Sequence, residues 1–174
     1  MDGYMDTVDA LASHQSRERK LDILKDPGCG AFAVIYCGIY LLAYAGLSYE
    51  LFAADCMLVM CPLFVLSRAL SALCAVHMPN ARKAGMLCSY TKNTEKHVAA
   101  IALLAVLIIS GAISVLMSPM IGGLAVLFAL VSVWSYCRMA MKQFGGVTGD
   151  TSGFFLQICE LFCLMGAWVG SLFV

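Results

Sequence analysis

The sequence predicts an all-α integral membrane protein, a helical bundle of about five transmembrane helices with a short cytoplasmic helix at the N-terminus. Three observations predict it. Hydrophobic residues make up 61% of the 174, charged residues only 13%, and mean hydropathy is +0.86, whereas soluble domains run about half apolar and about a quarter charged. Five apolar stretches approach the roughly 20 residues that a helix needs to cross a bilayer. Basic residues fall on alternate connections, which is how positive charge distributes over cytoplasmic loops.

The chain divides into a polar motif segment, residues 1–29, and a membrane bundle, residues 30–174, together one membrane-embedded domain. The opening, MDGYMDTVDA, sets Asp2, Asp6 and Asp9 at i, i+4 and i+7, on one face of a helix. Like charges so placed repel one another, and a bound divalent cation reverses that cost. Carboxylates with water and phosphate are what Mg²⁺ prefers; the alternative is a solvated acidic terminus. The stretch SRERKLDILKDPG follows, with Ser16 as helix N-cap, Pro27 and Gly28 as its stop, and an apolar stripe of Leu21 and Leu24. No apolar signal-peptide core precedes the first span.

Spans are expected at 30–47, 51–76, 98–117, 120–141 and 154–174. Pro62 is a potential kink in the second, and Pro119 sits in the turn before the fourth. Arg17, Arg19, Lys20 and Lys25 precede span one. Arg82, Lys83, Lys92 and Lys96 lie between spans two and three, and Arg138 and Lys142 between four and five. The other two connections carry no lysine or arginine. This bias places the N-terminus and the polar chemistry inside and the C-terminus outside, in a multi-pass protein of the cell (inner) membrane. Arg68 lies toward the same end of its span.

Two further stretches join the acids on that face. PNARKAG offers Arg82 and Lys83 beside Gly85, as a phosphate clamp or as mere positive-inside charge. FGGVTGDTSG sets Gly145, Gly146, Gly149 and Gly153 around Thr148 and Asp150, a loop whose amides can approach an anion, or simply a turn. Acids for Mg²⁺, bases for a diphosphate and an in-line hydroxyl are the set that phosphoryl transfer needs. Zero net charge gives no argument for nucleic acid. The nine cysteines include no C-x-x-C pair and read as small hydrophobes.

These blocks resemble the adenosylcobinamide-GDP ribazoletransferase (cobalamin synthase) family. Its D-G-x-x-D-T-x-D pattern falls on Asp2, Gly3, Asp6, Thr7 and Asp9, and R-E-x-x-L-x-I-x-K-D on Arg17, Glu18, Leu21, Ile23, Lys25 and Asp26. A second block covers Ser67, Arg68, Pro79, Ala81, Arg82, Lys83 and Gly85. The last covers Gly145, Gly146, Thr148, Gly149, Asp150, Gly153 and Glu160. The resemblance implies a Mg²⁺-dependent phosphotransferase that joins adenosylcobinamide-GDP to α-ribazole, or its 5′-phosphate, and releases GMP late in cobalamin biosynthesis. It implies Asp2, Asp6 and Asp9 as metal ligands, with Asp9, then Asp6, as catalytic residues. Arg68, Arg82, Lys83, Lys25, Asp26, Gly146, Thr148, Gly149 and Asp150 are implied on the substrates, with lipid, other copies of the chain or other cobalamin-assembly enzymes as further partners.

Family members carry membrane segments upstream of the D-G-x-x-D block, so an N-terminally shortened chain is expected, and an inactive or assembly-only fragment is one alternative. A cation transporter subunit is the other. Against it, no acid lies near the middle of spans three to five, where an ion site belongs; Glu160, about two turns into span five, comes nearest.

Overall fold

The computed structural model describes residues 1–26, 28–82 and 95–174. Lys83, Gly85 and Lys92, which the sequence singles out, and Pro27 lie outside the described residues. The described elements are all helical: α1 (Asp2–Ala12), α2 (Arg17–Ile23), α3 (Ala31–Ala53), a 3₁₀ turn (Met57–Val59), α4 (Met60–His77), α5 (Lys96–Met117), α6 (Pro119–Gln143) and α7 (Gly149–Ser171). Five segments are long and apolar enough to cross a membrane: α3, α4 with its 3₁₀ turn, α5, α6 and α7. The chain is a multi-pass helical membrane protein.

The span edges shift from the sequence expectation for local reasons. Span one runs on to Ala53 because Ser48, Tyr49 and Glu50, read as a connection, contain nothing that ends a helix. It closes one turn later: Asp55 takes the left-handed conformation (φ 55°) and the Cys56 N–H donates to the Leu51 carbonyl at 2.9 Å. This is a Schellman-type stop with aspartate where glycine is usual. Span two therefore starts at Met57 rather than at 51. Pro62 sits in the first turn of α4, where its missing N–H costs nothing, so no kink follows. Pro119 is the first residue of α6, as the turn reading implies. Span five begins at Gly149, so the second half of FGGVTGDTSG is helix rather than loop.

The core is made by α4, α6 and α7, with Leu63, Leu66, Ala129, Phe155, Cys159 and Leu164 all but inaccessible. Hydrocarbon solvates leucine as well as a protein core does, so helices in lipid associate through close packing of small residues. Accordingly α6 buries Ala125, Ala129, Ser132 and Ala140 along one stripe. Gly166 of α7 lies so near it that a Cβ there would stand 2.7 Å from the Leu124 carbonyl oxygen. The outward faces are apolar as well: Leu42, Ile101 and Leu116 are 77%, 70% and 82% exposed, the pattern of a lipid-facing surface.

The short helices cap one end of the bundle, where α3 and α7 start and α4 and α6 finish. The α2 stripe faces protein: Leu24 is buried with Ala10 and Phe144, flanked by Leu21. Ser16 accepts from the Arg19 N–H, the cap its sequence predicts. Arg17 donates to the Met141 carbonyl at 3.1 Å and Lys20 to Gln143 Oε1 at 2.5 Å. Both cations thus sit at the C-terminus of α6, where the helix dipole favours positive charge. Glu18, Arg19 and Asp22 stay in solvent, as an ordinary helix face should.

Candidate functional site

The site is organised by α1, which wedges between the first turns of α3 and α7. Its apolar face carries Tyr4 and Val8. Tyr4 stacks on Phe154 with centroids 5.5 Å apart and planes 10° apart, and tilts against Tyr40 at 5.3 Å. Its other face carries the acids. Gly3 brings the two helices together, because a Cβ there would lie 2.7 Å from the Asp150 carbonyl oxygen and 2.8 Å from its Cα. Asp150, in the first turn of α7, joins the acids of α1 in consequence.

The carboxylates feel one another. Asp6 is held above the usual carboxylate range, first by partial burial and then by the negative charges of Asp2, Asp150 and Asp9. Among the described residues the counter-charge paired with them is Arg82, whose Nη1 lies 3.4 Å from Asp150 Oδ2. Its Nη2 donates to the Leu21 carbonyl at 3.2 Å, and its Nε is buried with no partner among the described residues.

Arg82 reaches this place through a staple between Asn80 and Val147, 67 residues apart. The Ala81 N–H donates to the Val147 carbonyl and the Val147 N–H to the Pro79 carbonyl, both at 2.9 Å, forming a parallel bridge. Gly146 makes the staple fit: its φ is +155° and a Cβ would meet the Pro79 carbonyl oxygen at 2.1 Å. Next to it, Thr148 is buried and caps α7, accepting from the Thr151 N–H at 3.1 Å in a reciprocal capping box. Gly146 and Thr148 shape the site, while Gly149 stays exposed at the head of α7.

Asp9 is committed elsewhere. One carboxylate oxygen accepts from the Gly30 N–H at 2.5 Å and the other from the Ala33 N–H at 3.0 Å, so Asp9 caps α3. Asp26 accepts from the Gly28 N–H at 2.9 Å. Lys25 pairs at 3.4 Å with Asp22 in solvent. Arg68 is not brought to Arg82. It stands about 13 Å of helix before the end of α4 and pairs with Glu160 of α7, with Ser67 bonded to both. Glu160 lies about 16 Å into α7, one turn deeper than expected because that helix starts earlier. Equal depth was the signal available for this pair. The cap by Asp9 had none, since no local pattern announces a contact between residues 9 and 33.

Among the described residues no three acids, histidines or cysteines stand close enough to form a closed metal cage. A cage is not what Mg²⁺ needs. It keeps several waters and takes one or two carboxylates plus substrate phosphate. Asp2, exposed, and Asp6, half-buried, supply the carboxylates, and the mutual repulsion at Asp6 is the charge that a divalent cation would relieve.

A family model described as cobalamin-5-phosphate synthase matches residues 1–168. The chain belongs to the cobalamin-5-phosphate synthase family. It is similar to the adenosylcobinamide-GDP ribazoletransferase of Lachnoclostridium phytofermentans, 40% identical over 92% of this chain and 61% of that protein. It is also similar to that of Pseudomonas fluorescens (31%, over 95% and 67%) and that of Clostridium botulinum (30%, over 96% and 66%). The chain thus spans about three fifths to two thirds of the length of these relatives. No solved structure matches it. The family is named for a step of cobalamin biosynthesis.

In this family member the contact of Gly3 with Asp150 makes a direct prediction. Gly3→Ala is expected to push α1 off α7 and separate Asp2 and Asp6 from Asp150 and Arg82. A misplacement near 1 Å costs roughly 10²-fold in rate. Turnover should fall by about that factor while the far-ultraviolet circular dichroism stays unchanged.

Proposed function

We propose that this chain carries the phosphotransfer site of an adenosylcobinamide-GDP ribazoletransferase, joining adenosylcobinamide-GDP to α-ribazole or its 5′-phosphate with release of GMP. The observation that supports it best is the convergence of Asp2, Asp6, Asp150 and Arg82 at one end of the bundle, in a chain whose relatives bear that name. Bias in lysine and arginine supports a cytoplasmic position for this end, in the cell membrane with the C-terminus outside.

Asp2 and Asp6 hold Mg²⁺ in this reading, with Asp9 at the edge of the cluster. The ion supplies neutralisation of the diphosphate. Arg82 spans Asp150 and the substrate, its Nε, without a partner among the described residues, offered to a phosphate oxygen, with Gly149 at the head of α7; Lys83, next in sequence, is a further cation for the diphosphate. The ribose hydroxyl attacks the phosphorus next to the corrinoid arm; the new O–P bond forms as the bond to GMP breaks. Asp6 receives the hydroxyl proton. The sequence favours Asp9 for that role, but both Asp9 oxygens are taken by backbone N–H groups of α3. Asp9 is then a positioning residue that fixes α3 to α1.

The test is GMP release by the purified chain in lipid nanodiscs supplied with both substrates. Release that stops with chelator and returns with Mg²⁺ is the expected result. Cation flux without nucleotide release supports the transporter reading instead, and neither flux nor release supports the inactive-fragment reading.

A further inference from the structure

The last turns of α6 carry two cations that the acidic site does not use. Arg17 donates to the Met141 carbonyl and Lys20 to Gln143, while Lys25, Arg68 and Arg82 have carboxylate partners. Arg138 and Lys142 are exposed and pair with no carboxylate among the described residues. Arg138 instead lies over Trp134, its guanidinium carbon 4.8 Å from the ring centroid. Trp134 is itself 61% exposed, on a face continued toward the membrane interior by Leu127 and Val131 at 52% and 45%. Leu127, Val131, Trp134, Arg138 and Lys142 follow one another at spacings of three or four, so they form one stripe down the helix. At about 1.5 Å per residue, Trp134, Arg138 and Lys142 stand about 14, 8 and 2 Å before its end.

That order is the order of a phospholipid: hydrocarbon, then the interface where tryptophan settles, then the headgroup. The contact with Trp134 fixes Arg138 but satisfies none of its five N–H donors, and hydrocarbon offers no acceptor. Lys142, one turn on, is a like charge with its Cβ within about 6 Å, so an anion between the two relieves their repulsion. We propose that this stripe seats an anionic phospholipid, its phosphate between Arg138 and Lys142 and one acyl chain along Leu127 and Val131. A planar guanidinium matches phosphate oxygens two at a time, and the lysine adds a point charge. The negative end of the α6 dipole opposes an anion, but Arg17 covers the Met141 carbonyl there. A zwitterionic headgroup fits less well: its ammonium would meet two cations, and Arg138 already occupies the Trp134 face that could receive it. The seat makes no use of the acids of α1 and stands whether or not they bind a metal.

The experiment reads Trp134 fluorescence of the whole chain in nanodiscs of phosphatidylcholine doped with brominated-chain phosphatidylglycerol or, at matched mole fraction, brominated-chain phosphatidylcholine. Trp168→Phe leaves Trp134 as the one tryptophan, and the difference in quenching between the unsubstituted chain and Trp134→Phe reports the same residue without touching α7. Phosphatidylglycerol should quench at a mole fraction roughly tenfold lower, since each cation near an anionic surface contributes about a fivefold preference. Arg138→Gln with Lys142→Gln should erase that preference, and Arg138→Lys with Lys142→Arg should keep most of it. Arg19→Gln with Lys96→Gln removes the same charge from exposed positions at the same end of the bundle and should leave the preference intact. Equal loss in the two neutralised pairs makes the attraction a diffuse surface potential and overturns the seat, as does equal quenching of the unsubstituted chain by both lipids. Release of phosphatidylglycerol by inorganic phosphate at constant ionic strength makes it a site for soluble anions and overturns the lipid assignment.

Discussion

In the proposed phosphotransfer reading, replacement of Asp6 by asparagine is expected to lower Mg²⁺-dependent GMP release roughly 10³-fold, because metal-assisted charge neutralisation is worth several kcal/mol and each ~1.4 kcal/mol is a decade in rate. The same substitution should raise the melting temperature of the metal-free protein at neutral pH. Asp6 is held above the usual carboxylate range by burial, then by Asp2, Asp150 and Asp9. The folded chain therefore binds its proton more tightly than the unfolded chain, so stability is lost as pH rises through the ordinary aspartate value of about 3.9 and toward the raised one. Asparagine removes that cost. Mg²⁺ should raise the melting temperature of the unsubstituted chain by mass action and do little for the variant, and its effect should fade as the pH drops through the raised Asp6 value. A variant that keeps full activity, or an unsubstituted chain indifferent to Mg²⁺ in melting, would remove Asp6 from the metal site.

The opposite signs expected for stability and activity mark how this end of the bundle is built. Three of its acids, Asp2, Asp6 and Asp150, are gathered by a glycine contact and opposed, among the described residues, by the guanidinium of Arg82. Such a cluster weakens the fold without its ligands. The surrounding structure compensates through contacts with no chemical duty: Leu24 and Phe144 buried together, Lys20 on Gln143, Asp9 on the head of α3.

Sequence reveals the features that repeat locally. Apolar length gives the five spans, Ser16 announces α2, and the i, i+4, i+7 spacing puts Asp2, Asp6 and Asp9 on one helix. It does not reveal features made by distant pairs. The bridge between Asn80 and Val147 brings Arg82 to Asp150, and neither segment has strand character that would suggest it. Thr148 and Asp150 read alike as site residues from their glycine-rich surroundings. Only the start of α7 separates them, because an N-cap turns inward to its own amides while a residue two positions later points outward. Helix edges shift for a similar reason: a polar Ser-Tyr-Glu run resembles a connection, yet it is tolerated at the end of a span where side chains reach the interface.

Arg68 is where sequence and structure assign different work, and a double substitution separates them. Sequence puts Arg68 on the diphosphate; structure pairs its half-exposed guanidinium with the buried Glu160 of α7, and Tyr40 and Tyr44 of α3 lie within the field of both charges. Removing the partner of a buried charge leaves it uncompensated, whereas replacing both members with apolar residues of similar size is often neutral; the Arg68 side chain is 56% exposed, so the cost falls below the roughly 3–5 kcal/mol of a fully buried pair. Arg68→Met should therefore lower the yield of folded protein, since Glu160 is nearly inaccessible and low-dielectric surroundings penalise its unpaired charge. Arg68→Met with Glu160→Met should recover folded yield and melting temperature, measured by size-exclusion chromatography and differential scanning fluorimetry in detergent. GMP release by that double variant then decides the role. Release near that of the unsubstituted chain makes the pair a clamp between α4 and α7 that never meets substrate. A folded double variant with adenosylcobinamide-GDP affinity lowered more than tenfold, at unchanged acceptor affinity, returns Arg68 to the diphosphate, with Glu160 holding the guanidinium until the donor arrives.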